Sequence, residues 1–361
     1  MIESAAATRL LARFGWLWAC GLWLVACSPQ TSTFRADALV FGSAAQFAWR
    51  ADASTPSDAI LADILLHLKQ REQDWSLWQP SALTIANQGC ASGDWFEWPA
   101  ALQPLYAPSM DWWERSDGLF NPAAGKIIAA WSVRTSALGP TAAPPSPPSQ
   151  TALDTWRADP AGPDDIEFLG TRARCLHREL QWDFNAIAEG VATQEVADLL
   201  RAKGIHNALI TLGGDVLAVG RGEHHAWRAA IRHPDGGVVA WLDLHDGEAL
   251  FTSGTYARQF DNAQGRQWSH IIDPRSGEAV RGPRAVSVLQ RDPVLADAAA
   301  TALLAANDSE LERIATRLDV RCLLRMDEYG EWWISDALQP RLHWQTTPAR
   351  VHRMALGEHC E

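Results

Sequence analysis

Apolar positions change their period several times along this chain, and each change marks an element. Residues 39–52 alternate in the manner of a strand, whereas over 57–73 Ile60, Ile64, Leu65 and Leu68 recur at helical intervals. Residues 99–117 predict a second helix. The richest stretch is 181–220, QWDFNAIAEGVATQEVADLLRAKGIHNALITLGGDVLAVG. It holds a strand end with an acid (Asp183) and a small-residue turn from Ala186 to Gly190. A helix marked by Val196, Leu199 and Leu200 follows and stops at Gly204, then come a second strand and a Gly213-Gly214-Asp215 turn. A helix that opens just past an acidic strand end is a place to hold an anion, because its first N–H groups and its dipole both point there.

Short strands are expected at 227–232, 238–244 and 249–252, then a hairpin of 256–260 with 267–272 around Asn262-Ala263-Gln264-Gly265. After a strand at 285–289, Asp292 and Pro293 form an N-cap and first-turn pair for a helix reaching about Ala306. A helix at 309–318 and strands at 321–326 and 332–335 precede a tail with no assigned element. Seven of the chain's twenty prolines gather within 135–165, which predicts an exposed, partly extended loop. It reads as an insertion within one domain.

Composition narrows the partners. A formal charge of −12 over 361 residues argues against nucleic acid, whose phosphates require a basic surface. At the N-terminus, Arg9 and Arg13 precede an apolar run over 14–26 that is too short to span a bilayer and ends in Leu24-Val25-Ala26-Cys27. This looks like a bacterial lipoprotein signal: 1–26 would be removed and the mature chain, 27–361, would begin at a lipidated Cys27 on the periplasmic side. Ser28, in place of an aspartate, favours the outer membrane over the inner, with acyl chains as the anchor. Cys90, Cys175, Cys322 and Cys360 then remain in an oxidising compartment, where two disulfides have three pairings open to them. None has metal-ligand spacing, and His224, His225 and His233 read as exposed loop residues.

Four segments in order carry a family resemblance: the 181–220 stretch, FTSGTYARQF at 251–260, WSHIIDPRSGEAV at 268–280, and SVLQRDPVLADAAATALLA at 287–305. Together they resemble the ApbE family, the periplasmic FAD:protein FMN transferases, from about residue 41 to the C-terminus. The resemblance implies a single interwoven α+β domain with mixed or antiparallel sheets and flanking helices, related to the T-fold. It implies Mg²⁺-dependent transfer of FMN from FAD to a Thr or Ser hydroxyl of an acceptor flavoprotein, a subunit of an exported redox complex, with release of AMP.

On this chain the resemblance assigns Asp297, Ala300 and Thr301 to the metal, with Ala186 offering its main-chain oxygen. Asp297 and Thr301 fall at i and i+4, one face of a helix, and oxygen-only donors suit a hard cation. Cofactor contacts carry over to Phe41, Trp78, Leu119, Phe120, Asn121, Asp183, Glu189 and Ile272. His270 is the candidate base, because a neutral imidazole can take the proton of an incoming hydroxyl.

This chain departs from the family pattern at several positions. Phe41-Gly42-Ser43 stands where Met-Gly-Thr is usual, Asn121 replaces an acid, Lys126 a proline and Gln194 an acid, and Glu189 stands where many relatives have lysine. Two alternatives therefore stay open: an FAD-binding carrier or assembly accessory without turnover, and a Mg²⁺-dependent FAD pyrophosphatase.

Overall fold

The computed structural model describes residues 32–131, 147–223, 225–256, 259–261 and 267–360. The signal segment with Cys27, residues 132–146 of the proline-rich stretch and His224 lie outside them.

A nine-stranded sheet forms the centre, and its strands lie side by side in chain order: Ser32–Val40, Ser43–Ala51, Ala208–Leu212, Asp215–Val219, Ala249–Gly254, Ala285–Gln290, Cys322–Met326, Trp332–Ser335 and Val351–Met354. All neighbours are antiparallel except the last pair, which is parallel. The residues expected to form one strand at 39–52 instead form part of a hairpin. Phe41 (φ +52°) and Gly42 (φ +72°) both take the left-handed conformation that a two-residue turn demands. The C-terminal residues expected to be a tail supply the edge strand Val351–Met354.

Alternation divides the inner strands between two cores. Along Ala285–Gln290, Val286 and Val288 join the core beneath the helices, while Ala285 and Leu289 join the core on the other side. That second core is closed by a small sheet of Trp227–Arg232, Val238–Leu244 and His343–Trp344.

The described residues also form eight α-helices: α1 (Ser57–Asp74), α2 (Ala82–Ser92), α3 (Gln103–Arg115), α4 (Gly125–Ala130), α5 (Gln150–Ala158), α6 (Ala188–Ala202), α7 (Pro293–Ala305) and α8 (Leu311–Arg317). No described helix is long and apolar enough to cross a membrane. Asp292 caps α7 as expected, its Oδ1 accepting from the amides of Val294 (2.9 Å) and Leu295 (3.2 Å). α7 packs against α6 and across two central strands, so nearly all its residues are buried.

Ser81 opens α2 through a capping box with Thr84. One further expectation gives way. Within the proline-rich stretch, α5 is a regular helix that buries Leu153 and Trp156, with the Ser149 hydroxyl as its cap. The cysteines pair as Cys90–Cys175 and Cys322–Cys360.

Candidate functional site

The helix predicted to hold an anion is met in its first turn by a carboxyl group of the protein itself. α6 starts at Ala188, earlier than the small-residue turn suggested, and Ile187 has no side chain able to cap it. In its place the Asp297 carboxylate reaches across from α7, and Oδ2 accepts the Gly190 amide at 2.8 Å. The helices can come this close because position 190 lacks a side chain. A Cβ there would lie 2.6 Å from the Pro293 carbonyl oxygen and 2.9 Å from the Val294 Cα.

Asp297 is 8% exposed, and one hydrogen bond does not satisfy a carboxylate with two oxygens. Burial, and then the negative charges of Asp215 and Glu189, push its pKa well above the usual carboxylate range against the pull of the Gly190 amide. Asp215 is raised in the same way, by burial first and then by Glu189, although it accepts the Thr252 amide at 2.7 Å. Glu189, in the first turn of α6, lies directly over Gly213, where a Cβ would come within 2.2 Å of Oε2. One helical turn past Asp297, Thr301 Oγ1 meets Ser253 Oγ at 3.1 Å. Three carboxylates and two hydroxyls thus converge from α6, α7, the Gly213-Gly214-Asp215 turn and the adjoining strand Ala249–Gly254.

This set fits a hard divalent cation. Its donors are oxygens, and carboxylates held near one another against their tendency to ionise are stabilised when a cation enters. Among the described residues no group of three His, Cys, Asp or Glu is arranged to ligate a metal. A cation here would therefore rely on the Asp297 carboxylate, the Thr301 hydroxyl and main-chain oxygens such as those of Ala186 and Ala300, with Asp215 and Glu189 adding charge. From the sequence, Asp215 reads as turn chemistry alone. The signal that could have promoted it was an acid directly after two glycines, facing a second acid at the start of a helix.

The remaining candidates fall into three places. The loop carrying Leu119, Phe120 and Asn121 is stitched to the chain at Asp183 by Gly125 N to Gln181 O (2.8 Å), Gln181 N to Ala123 O (3.2 Å) and Asp183 N to Pro122 O (2.8 Å). Leu119 and Phe120 point into the core, and their amides are engaged locally, donating to Ser116 O at 3.2 Å and to Ser116 Oγ at 3.0 Å. Asn121 uses both ends of its amide, donating to Ala161 O beyond α5 at 2.8 Å and accepting from Ala123 N in its own loop at 2.9 Å. Asp183 is buried and accepts the Asn185 amide at 3.0 Å.

Phe41 stacks on Trp75, with planes 4° apart and centroids at 6.2 Å, while Trp78, in the link between α1 and α2, is 51% exposed. Gln194 donates to Asp198 along the surface of α6 at 2.9 Å. His270 and Ile272 stand in the third place, on the short hairpin of Ile272–Asp273 with Glu278–Ala279 and the residues leading into it. There Trp268 and Ile272, two residues either side of His270, are buried with Trp131 and Ala279 in a small core of their own.

The ApbE family profile matches residues 41–324. Among curated proteins, the chain is 36% identical over 277 residues to an FAD:protein FMN transferase of Rhodobacter capsulatus, covering 76% of this chain. The match spans 52% of that relative's own length. It is 26% identical over 251 residues to the FAD:protein FMN transferase of Escherichia coli K12, covering 66% of this chain and 69% of the relative. Among solved structures, the apo flavinyl transferase ApbE of Pseudomonas stutzeri superposes with a TM-score of 0.70 at 26% identity, over 83% of this chain and 92% of that one. The ApbE protein of Thermotoga maritima shares the fold, with a TM-score of 0.74 at 22% identity over 83% of this chain and 96% of its own.

Proposed function

The chain belongs to the ApbE family, and from that premise we propose that it transfers the FMN half of FAD to a threonine or serine hydroxyl of an acceptor flavoprotein. The hydroxyl oxygen bonds to the FMN phosphorus, the bond from that phosphorus to the bridging oxygen breaks, and AMP leaves. The observation that carries this reading is the Asp297 carboxylate, set on the Gly190 amide beside Asp215 and Glu189, one turn from the Thr301–Ser253 hydroxyl pair.

Pyrophosphate chemistry needs charge neutralised on its oxygens, and a Mg²⁺ held by Asp297, Thr301 and the main-chain oxygens of Ala186 and Ala300 would supply that. The remaining work belongs to side chains and backbone. The stitched loop of Leu119 to Asn121 with Asp183, together with Phe41, Trp78, Glu189 and Ile272, would seat the dinucleotide, and a half-exposed indole such as Trp78 suits stacking on a flat ring. His270 would take the proton from the attacking hydroxyl.

The mature protein would be held at the periplasmic side of the membrane by lipid on Cys27, at the outer membrane in preference to the inner. Two disulfides support an oxidising compartment. Its acceptor would be a flavoprotein subunit of an exported redox complex.

Chromatography of the nucleotides after incubation with FAD, Mg²⁺ and a threonine-bearing acceptor domain tests the proposal. Transfer yields AMP and flavinylated acceptor in equal amounts with no free FMN. Free FMN with AMP would instead identify a pyrophosphatase, and intact FAD a carrier.

A further inference from the structure

The turn that follows the His270 segment is gripped at its main-chain oxygens by side chains from far away in sequence. The Trp156 indole N–H donates to Pro274 O at 2.5 Å and the Trp131 indole N–H to Gly277 O at 2.7 Å. Arg157 Nε donates to Ser276 O at 3.0 Å, and the same guanidinium pairs with Glu278. Three of the four carbonyls between Pro274 and Gly277 are thus held from α5 and from the end of α4. The base of the hairpin is fixed from the other side, where Arg275 bridges Asp273 (3.1 Å) and Glu310 (2.9 Å).

Trp131 makes a second kind of contact. Its ring meets Trp268 edge-on with centroids 6.0 Å apart, in the small core that also holds Ile272 and Ala279. His270 lies between Trp268 and Ile272 in sequence, so the placement of its backbone follows from where that core and the turn are held. Resting on the reading that His270 receives the acceptor proton, we propose that Trp131 and Trp156 are positioning residues. Their two indole N–H groups latch the 274–277 turn and so set the place of His270 in the transfer step. An indole suits this role because it donates one hydrogen bond from a rigid, buried plate with little rotamer freedom to lose.

Trp131→Phe and Trp156→Phe keep an aromatic ring in each buried place, delete the N–H donor and reduce the packed volume, so the exchange pattern below separates the lost donor from lost packing. In the full chain each should lower kcat for flavin transfer about tenfold, as loss of a partner that orients a reacting group does. The FAD dissociation constant should stay within about twofold, since the N–H groups touch no proposed FAD contact except through Ile272. Amide hydrogen exchange should quicken across residues 269–280 and not elsewhere.

Unchanged exchange in that segment overturns the latch. Local loosening with unchanged kcat contradicts the positioning role, and equal losses of kcat and FAD affinity with faster exchange throughout the chain mark a general packing role, which also overturns it. If the unaltered protein transfers no flavin, the proposed function fails on that result alone, and the exchange measurement then decides the latch by itself.

Discussion

A carboxylate at 8% exposure in a helix of alanines and leucines has to be compensated by its surroundings, and Asp297 is compensated only in part. The Gly190 amide favours the ionised form, while burial, Asp215 and Glu189 oppose it. An acid whose folded pKa is raised favours folding below its unfolded pKa, and that contribution is lost as pH rises through the raised value. Asp297→Asn should therefore make the metal-free protein melt at a higher temperature than wild type at neutral pH, and the gap should close on acidification. Adding Mg²⁺ should raise the melting temperature of the wild type and leave the variant unmoved. Thermal melts across pH with and without Mg²⁺ check all three, and a metal response retained by the variant would remove Asp297 from the ligand set. Phe41 shows a different compromise: a bulky residue at φ +52°, a conformation that costs roughly 1–2 kcal/mol, offset in part by stacking on Trp75.

Among the elements, the contact between α6 and α7 sets the site, and it depends on the absence of one side chain. Gly190→Ala would place a methyl group against the main chain of Pro293 and Val294, which cannot swing aside. It should destabilise the protein by about 1–3 kcal/mol, read from urea melts, and should lower transfer by drawing Asp297 away from its amide. α7 was legible in the sequence because its signals are local: Asp292 and Pro293 at the start, and Asp297 and Thr301 at i and i+4.

Other elements were hidden for physical reasons. The hairpin turn at Phe41-Gly42 escaped because Val40 and Phe41 continue an apolar pattern and a phenylalanine gives no warning of a left-handed backbone. α5 escaped because prolines counted over the whole window obscured nine residues that contain none, although Pro147-Pro148 before it and Pro160 after it mark its limits. The partnership of Asp215 with Asp297 could not be read, since the register of neighbouring strands creates it: Leu250 opposite Val216 carries the Thr252 amide to the Asp215 carboxylate.

For the molecule as a whole, a sheet that follows chain order is left with a short parallel strand, Val351–Met354, at its C-terminal edge. Cys322–Cys360 ties the chain end beyond it back to the sheet, across 38 residues, and Cys90–Cys175 joins α2 to the strand Arg172–Cys175 across 85. Loop closure over such lengths stabilises by roughly 4 kcal/mol per bridge in the chain-entropy account. Cys322→Ser with Cys360→Ser should therefore lower the melting temperature by several degrees while leaving FAD binding intact, because both residues belong to the core on the face of the sheet away from α6 and α7. The fold, the carboxylate group and the hairpin of His270 acquire a common purpose only if a divalent cation at Asp297 and Thr301 works on the FAD pyrophosphate. The most direct test is covalent flavin fluorescence on a denaturing gel, after wild type and Asp297→Asn are each incubated with FAD and acceptor over a range of Mg²⁺ concentrations. The account predicts labelling that rises with Mg²⁺ for the wild type and falls at least about a hundredfold in the variant at every concentration. Equal labelling by the two proteins, or labelling indifferent to the metal, would contradict it.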